Sequence, residues 1–246
     1  MSSAKKISIV IPVYNEEEFI QKTIEEVAKS DTLKLKKELV IVDDGSKDKT
    51  PQILRSIEKK LKNSKDFDLR IIIQKKNQGK GSVLKIGFLA STGDIVLVQD
   101  ADLEYSPKDY PNLLRPFLEN DAEVVYGSRF ILDKEKHQVV HFWHYQVNNF
   151  LTILSNIFTN LRLTDMETGY KVFKGKVIRE IAQKLESRRF GFEPEITARL
   201  AKIKNLKFFE VGIHYTERSY DKGKKMGAKD GVKAILEIIK FNLFRK

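Results

Sequence analysis

Residues 7 to 16 read Ile-Ser-Ile-Val-Ile-Pro-Val-Tyr-Asn-Glu, a β-branched apolar run that ends in polar residues. The run from Ile7 to Pro12 is too short for a helix and predicts a buried strand. Working outward, the same pattern returns at Glu38 to Asp43, Leu69 to Gln74, Asp94 to Val98 and Ala122 to Tyr126. Amphipathic stretches near Glu16 to Lys29, Lys49 to Leu61, Gly81 to Ala90 and Pro107 to Glu119 separate the strands, with capping signals at Ser46 and Ser106. Strand and helix alternating in this way specify an α/β fold, a mostly parallel sheet covered by helices on both faces. After about Phe130 the rhythm changes. A long polar-aromatic helix is expected near Phe142 to Leu161, further helices at Gly175 to Leu185 and Glu193 to Lys202, a strand at Leu206 to Ile213, and a last helix from Ala228 to Phe244. No change of composition separates front from back, so residues 1–246 read as a single domain.

Composition narrows the chemistry. With 246 residues the chain is long enough to bury a core without staples, and the absence of cysteine excludes disulfides, thiolate metal sites and Cys nucleophiles. The segment Met1 to Lys6 lacks the apolar core of a signal peptide, so export by that route is not expected. The segment Gln138 to Leu161, within the longest run free of Asp, Glu, Lys and Arg, contains His141, His144, Gln146, Asn148, Asn149, Asn156 and Asn160, and no membrane span is assigned to it. A net charge of +11 points to an anionic partner: a phosphate ligand, a membrane surface or nucleic acid, or else to a merely solvated lysine-rich surface.

In an open parallel sheet, ligands bind beyond the carboxyl ends of the strands. Those ends carry Pro12-Val13-Tyr14-Asn15-Glu16, Asp43-Asp44-Gly45-Ser46 and Asp100-Ala101-Asp102-Leu103-Glu104, three polar or acidic clusters on one rim. Asp100 and Asp102 flank one small residue, which in extended backbone turns both carboxylates to one face. Two such charges need a proton or a cation between them. A hard divalent ion, Mg²⁺ or Mn²⁺, suits them because it binds through one or two carboxylates plus substrate phosphates, with Glu104 in reach as a third ligand.

The ordered set Ile11 to Glu16, Val42 to Asp48, Asn77-Gln78-Gly79-Lys80-Gly81 and Asp100-Ala101-Asp102 resembles the signature series of the inverting glycosyltransferases of family two, which have a GT-A fold. Gly127-Ser128-Arg129-Phe130, Asp165 to Tyr170 and Arg218 to Lys225 narrow the resemblance to the branch of the dolichyl-phosphate mannose and glucose synthases. The resemblance implies a GT-A (Rossmann-like) sheet with a nucleotide-sugar-binding half, residues 1–130, and a helical acceptor-side half, residues 131–246. It implies a metal-dependent transfer of mannose or glucose from GDP-mannose or UDP-glucose to a polyprenyl (dolichyl-type) phosphate. By the same resemblance Pro12, Tyr14, Glu16, Val42 and Asp44 line the nucleoside pocket. Asp100 and Asp102, flanking Ala101, hold Mg²⁺ or Mn²⁺ on the diphosphate, with Glu104 beside them. Arg129, Arg218 and Lys224 contact donor or acceptor phosphates. Around Asp221-Lys222-Gly223-Lys224-Lys225 the chain departs from the mannose synthase pattern Gly-Glu-Ser-Lys.

The residues support this chemistry. A phosphate monoester is largely ionised at neutral pH and needs no strong base, which suits a chain without a Ser-His-Asp series. The demand falls on the leaving diphosphate, whose growing charge a metal on Asp100 and Asp102, assisted by Arg129, would stabilise. Arg at 129 and 218 offers a planar fork for phosphate oxygens, although either side chain could instead form an ion pair. Asp165 either orients acceptor groups or starts a turn.

From Arg218 to Lys246 nine basic residues face three acidic ones, and Val232, Ile235, Leu236, Ile239 and Leu243 recur at helical spacing. This reads either as a basic amphipathic helix on an anionic membrane or as a terminal helix packed on the core. Phe142, Trp143 and Tyr145 supply a second interfacial candidate. The expected placement is cytoplasmic and peripheral, at the cytoplasmic face of a membrane, with a membrane-protein partner as a further possibility. Three alternatives follow: a soluble glycan or protein acceptor, a non-catalytic nucleotide-sugar-binding protein, and a nucleic-acid-binding protein. Nucleic acid is not expected as a partner, because the acidic rim would repel it and no recognition motif is present.

Overall fold

Along the first strand, β1 (Lys6–Val13), Ile7, Ile9, Ile11 and Val13 face one side of the sheet and Ser8 and Val10 the other, the period-two alternation of a strand buried on both faces. The computed structural model describes residues 4–61, 64, 66–131, 142–189, 191–216 and 228–245. The chain runs on through α1 (Ile20–Lys29), β2 (Lys36–Asp43), α2 (Thr50–Leu61), β3 (Phe67–Ile73), α3 (Lys80–Ala90) and β4 (Ile95–Val98). A 3-10 turn at Pro107–Asp109 leads into α4 (Tyr110–Glu119) and β5 (Val124–Ser128). Then come α5 (Phe142–Thr159), β6 (Lys171–Lys174), α6 (Gly175–Lys184), α7 (Phe192–Ala201), β7 (Phe208–Gly212) and α8 (Ala228–Ile239), which ends in a π-helical turn, Lys240–Phe244.

The strands form one seven-stranded sheet in the order β3-β2-β1-β4-β6-β5-β7. All neighbours are parallel except β6, which runs antiparallel between β4 and β5. The sequence reading contains no strand at Lys171–Lys174: four residues with two lysines carry little signal, and Lys171 is buried only because the carbonyls of Met166 and Thr168 receive its ammonium. One apolar layer, under α1 and α4, contains Ile20, Ile24, Leu113 and Leu114; the other, under α3, α6 and α7, contains Val83, Leu84, Ile178 and Ile196.

Two helix starts differ from expectation. The first helix begins at Ile20 and not Glu16, because Asn15 takes a positive φ of 55° and residues 16–19 close a turn on the carbonyl of Glu16. Ser106 does cap, accepting from the backbone of Lys108, but Ser46 does not. Its hydroxyl accepts from the Asn15 N–H at 2.8 Å and bonds Asp43, while Asp48 receives the Thr50 N–H at the start of α2.

Candidate active site

Register brings the polar ends together. Val10 pairs with Val40 on one side and with Val98 on the other, so the loops after Val13, Asp43 and Val98 leave the sheet at one level. Val172 of β6 faces both Leu97 and Val125, which sets Asp100 and Ser128, each three residues further on, at the same rim. The rim therefore collects Asp43, Asp100, Asp102 and Arg129, residues scattered over the first half of the chain.

The Asp100–Glu104 loop is held from beneath. Gln99, fully buried, donates to the carbonyls of Asp100 and Tyr105 and accepts the hydroxyls of Tyr110 and Tyr170, both at 2.7 Å. Thr23 of α1 donates to the carbonyl of Ala101 at 2.8 Å. Leu103 adopts a positive φ of 61°, a conformation disfavoured for a γ-branched residue and tolerated here in a loop so fully tied. The Asp100 carboxylate meets the Lys80 ammonium, which also lies 3.8 Å from Glu193. Burial opposes charge on Lys80, but Asp100 and Glu193 outweigh it and hold the ammonium above the usual lysine range. Nearby, burial and the charge of Glu193 push the Glu167 carboxyl up to about 8. Among the described residues its Oε1 has no hydrogen-bond partner.

Asp102 and Asp100 are the two carboxylates of this loop expected to hold a divalent ion. Their hard oxygens are the right donors, and one of them already carries a cation in the form of Lys80. Glu104 does not complete a set of three. Its carboxylate accepts the Tyr215 hydroxyl at 2.9 Å, and among the described residues no group of three acidic or imidazole side chains is placed to hold a metal. The cause is the bridge between Tyr105 and Tyr215, which draws the loop toward the segment after β7.

Arg129 follows β5 and is gripped by Asp165, Nε to Oδ2 at 2.7 Å and Nη2 to Oδ1 at 2.8 Å. Asn148 of α5 bonds the same carboxylate, and the rings of Phe130 and Tyr215 lie over the guanidinium at 5.6 and 5.2 Å. Burial would raise the Asp165 pKa, but the Arg129 charge holds it below the usual carboxylate range. Asp165 stands at the start of the turn at residues 166–167, and its side chain fixes Arg129 beside the rim.

Where β2 and β3 end lies a cavity of about 710 Å³, lined by Tyr14, Asp43, Ser46, Lys47, Lys75, Lys76 and Arg189 among others. The volume suits a nucleotide and the basic lining suits its phosphates. Of the expected pocket residues, Tyr14 is on this wall. Val42 is not, and that expectation is corrected: strand alternation turns it into the core under Gly87 of α3, where it is fully buried. Asp44 is also turned away from the cavity, because its two oxygens accept the N–H groups of Gln78 and Gly79 at 2.8 and 2.7 Å. Pro12 is half-buried at the end of β1, and Glu16 bonds Thr50 through its backbone N–H. Arg218, Lys222, Lys224 and Lys225 lie outside the described residues, as do the side chains of Phe142 and Trp143.

Gly79 and Gly81 have a packing role. At Gly79, with φ +99°, a Cβ would come within 2.3 Å of the Arg188 carbonyl, and at Gly81 within 2.3 Å of that of Ser187. The 186–188 segment is fixed in turn by Glu195, which accepts the N–H groups of Glu186 and Ser187 and pairs with Arg199 at 2.7 Å. Gln99, Lys80, Glu193 and Glu195 are not among the site residues expected from the sequence. A polar residue closing an apolar strand and an acidic pair opening a helix are the signals that could have marked Gln99 and the two glutamates.

Residues 8–182 match the family model described as Glycosyl transferase family 2. The chain belongs to this family. Among its relatives, a dolichyl-phosphate beta-glucosyltransferase of Dictyostelium discoideum is 31% identical over 86% of this chain and 66% of its own length. Dolichyl-phosphate beta-glucosyltransferase ALG5D of Trichomonas vaginalis is 25% identical over 97% of this chain and 73% of its own. This chain therefore spans about two thirds to three quarters of those relatives. Glucosyl-3-phosphoglycerate synthase from Mycobacterium tuberculosis, solved with Mn²⁺, uridine diphosphate and phosphoglyceric acid, superposes with a TM-score of 0.68 at 19% identity. That alignment covers 98% of this chain and 78% of the neighbour, and it establishes the GT-A-like α/β fold of this family 2 glycosyltransferase.

Proposed function

We propose that this glycosyltransferase moves glucose from UDP-glucose to a polyprenyl phosphate at a membrane surface, with Mg²⁺ or Mn²⁺ held by Asp100 and Asp102. The observation that carries the reading is that sheet register brings the loop of Asp100 and Asp102 and the pinned Arg129 to the same end of the sheet as Asp43, which lines a basic cavity of nucleotide size. The relatives' names support glucose and a dolichyl-phosphate acceptor. When bound, the metal supplies Lewis-acid stabilisation of the leaving diphosphate. Arg129, immobilised by Asp165, faces the growing charge without having to reorganise. Tyr14 and Asp43 line the cavity that would take the nucleotide. The acceptor phosphate is already ionised and attacks directly, from the face opposite the leaving group, so the anomeric centre inverts.

An apolar face supports the membrane. Val147, Phe150, Ile153 and Ile157 form an exposed stripe along α5, and Val232, Leu236, Leu243 and Phe244 are exposed on α8 and its terminal turn. The two helices pack side by side. The last helix and its terminal turn pack on the core through Ala234, Ile238 and Phe241 and leave Val232, Leu236, Leu243 and Phe244 exposed. Exposed apolar side chains on a helix that also carries the exposed Lys233 suit an anionic lipid surface. Among the described residues no helix is long and apolar enough to cross a membrane.

The test is transfer of radiolabel from UDP-glucose, with GDP-mannose in parallel, to polyprenyl phosphate in vesicles and to phosphoglycerate in solution. Label in the organic phase that EDTA abolishes, and that Asp102→Asn lowers by at least about 10²-fold, supports the reading. Label from GDP-mannose alone reassigns the donor. Label on the soluble acceptor alone overturns the lipid.

A further inference from the structure

The Lys80 ammonium sits 2.9 Å from Oδ1 and 3.0 Å from Oδ2 of Asp100, astride the carboxylate where an oxygen-seeking dication would also bind. Lys80 is the first residue of α3, where a positive charge opposes the helix dipole, so helix formation does not explain the choice of lysine. Its neighbours Gly79 and Gly81 are pressed against the carbonyls of Arg188 and Ser187, which fixes the backbone from which the side chain projects. Asp100 is backed by Gly169, where even a Cβ would come within 2.4 Å of Oδ2, so the carboxylate has no room to turn that way. Glu193, 3.8 Å from the ammonium and nearly buried, adds a second negative charge.

We propose that Lys80 is a tethered counter-ion that occupies the cation position on Asp100 until a nucleoside diphosphate arrives, so that metal and nucleotide load together. The inference rests on the reading of Asp100 and Asp102 as the metal pair. A dication approaching Asp100 alone meets the ammonium at close range and is repelled. A diphosphate brings the negative charge that lets both cations stay: its oxygens complete the metal's coordination and offer Lys80 a new partner. The flexible four-carbon stem of lysine permits that exchange while the backbone stays clamped. Lys80 is in this sense a positioning residue, which sets the order in which the site fills.

The measurement is Mn²⁺ binding, followed by the paramagnetic resonance signal of the free ion, with and without saturating UDP. Wild-type protein is expected to bind Mn²⁺ at least about tenfold more tightly with UDP than without, and UDP to gain by the same factor. Lys80→Met should bind Mn²⁺ without UDP about tenfold more tightly than wild type, show a smaller effect of UDP on Mn²⁺, and bind UDP more weakly when metal is absent. Lys80→Gln provides the same comparison if the methionine variant does not fold, and Lys80→Arg should keep the wild-type coupling. If wild type binds Mn²⁺ with UDP but neither neutral variant gains affinity in its absence, the counter-ion role is overturned and the metal pair stands. If wild type does not bind Mn²⁺ even with UDP, the metal reading falls and this inference with it.

Discussion

At Arg129 a charge is taken almost out of water and kept useful by one partner. Asp165 is fully buried, so neutralising it leaves the guanidinium uncompensated. Asp165→Asn should therefore cost about 3 to 5 kcal/mol of stability by denaturant titration. It should also lower glucosyl transfer by at least about 10²-fold, a loss like that of an electrostatic stabiliser. A second residue-scale prediction concerns Gly79, whose φ of +99° and contact with Arg188 leave no space for a methyl group. Gly79→Ala should destabilise the fold by about 2 to 4 kcal/mol, combining backbone strain with overpacking, as read from the midpoint of unfolding. Nucleotide binding should weaken with it, since Lys80 moves with that backbone. The sequence singles out both places, one as an arginine expected to contact phosphate and the other as a glycine-rich motif. Their partners, Asp165 and Arg188, lie 36 and 109 residues away in the chain and were not legible as partners.

Among the elements, α5 and α8 show how one pattern can carry two contacts. The apolar positions Val232, Ile235, Leu236, Ile239 and Leu243 read as one stripe, but the helix buries Ala234 and Ile238 and leaves Val232 and Leu236 outside. A stripe of that width faces more than one neighbour. Replacing Phe150 and Ile157 together with Ser removes exposed apolar area without opening the core. The double variant should lose at least about tenfold in binding to anionic vesicles by sedimentation, with UDP binding and melting temperature unchanged. Equal vesicle binding by variant and wild type would remove the membrane role from this face. The four-residue β6 was not legible, because its antiparallel place between β4 and β5 depends on strands on either side and not on its own composition.

For the whole molecule, the lower edge of the sheet is tied by a buried acid. Glu38, 3% exposed, accepts from Ser8, from the Thr92 N–H and hydroxyl at 2.8 Å each, and pairs with Lys6 at 3.3 Å. Burial works to raise its pKa, but these partners prevail and hold it below the usual glutamate value. Asp165 is depressed in the same direction by Arg129, against its own burial. A carboxylate depressed in the fold contributes stability that is complete above its unfolded pKa and is lost as pH falls through the folded value. The melting temperature should therefore drop steeply below about pH 4, and less steeply in Glu38→Gln, which should itself cost about 2 to 4 kcal/mol near neutral pH. A variant and wild type with parallel acid profiles would exclude Glu38 as a source of the acid lability.

By itself the sequence determined the α/β class, the five front strands to within a few residues, and the rim that collects the strand-end clusters at Tyr14 to Glu16, Asp43 to Ser46 and Asp100 to Glu104. These follow from local patterns: short β-branched runs, amphipathic spacing, and the rule that polar strand ends of a parallel sheet share one edge. Only the tertiary structure decided what each side chain touches. It turned Val42 into the core, committed Asp44 to the Gln78 and Gly79 amides, drew Glu104 to Tyr215 and set Lys80 astride Asp100. The physical reason is that a carboxylate takes the nearest donors the fold supplies. Those donors come from strands and loops whose proximity is created by sheet order and register, which no local pattern encodes.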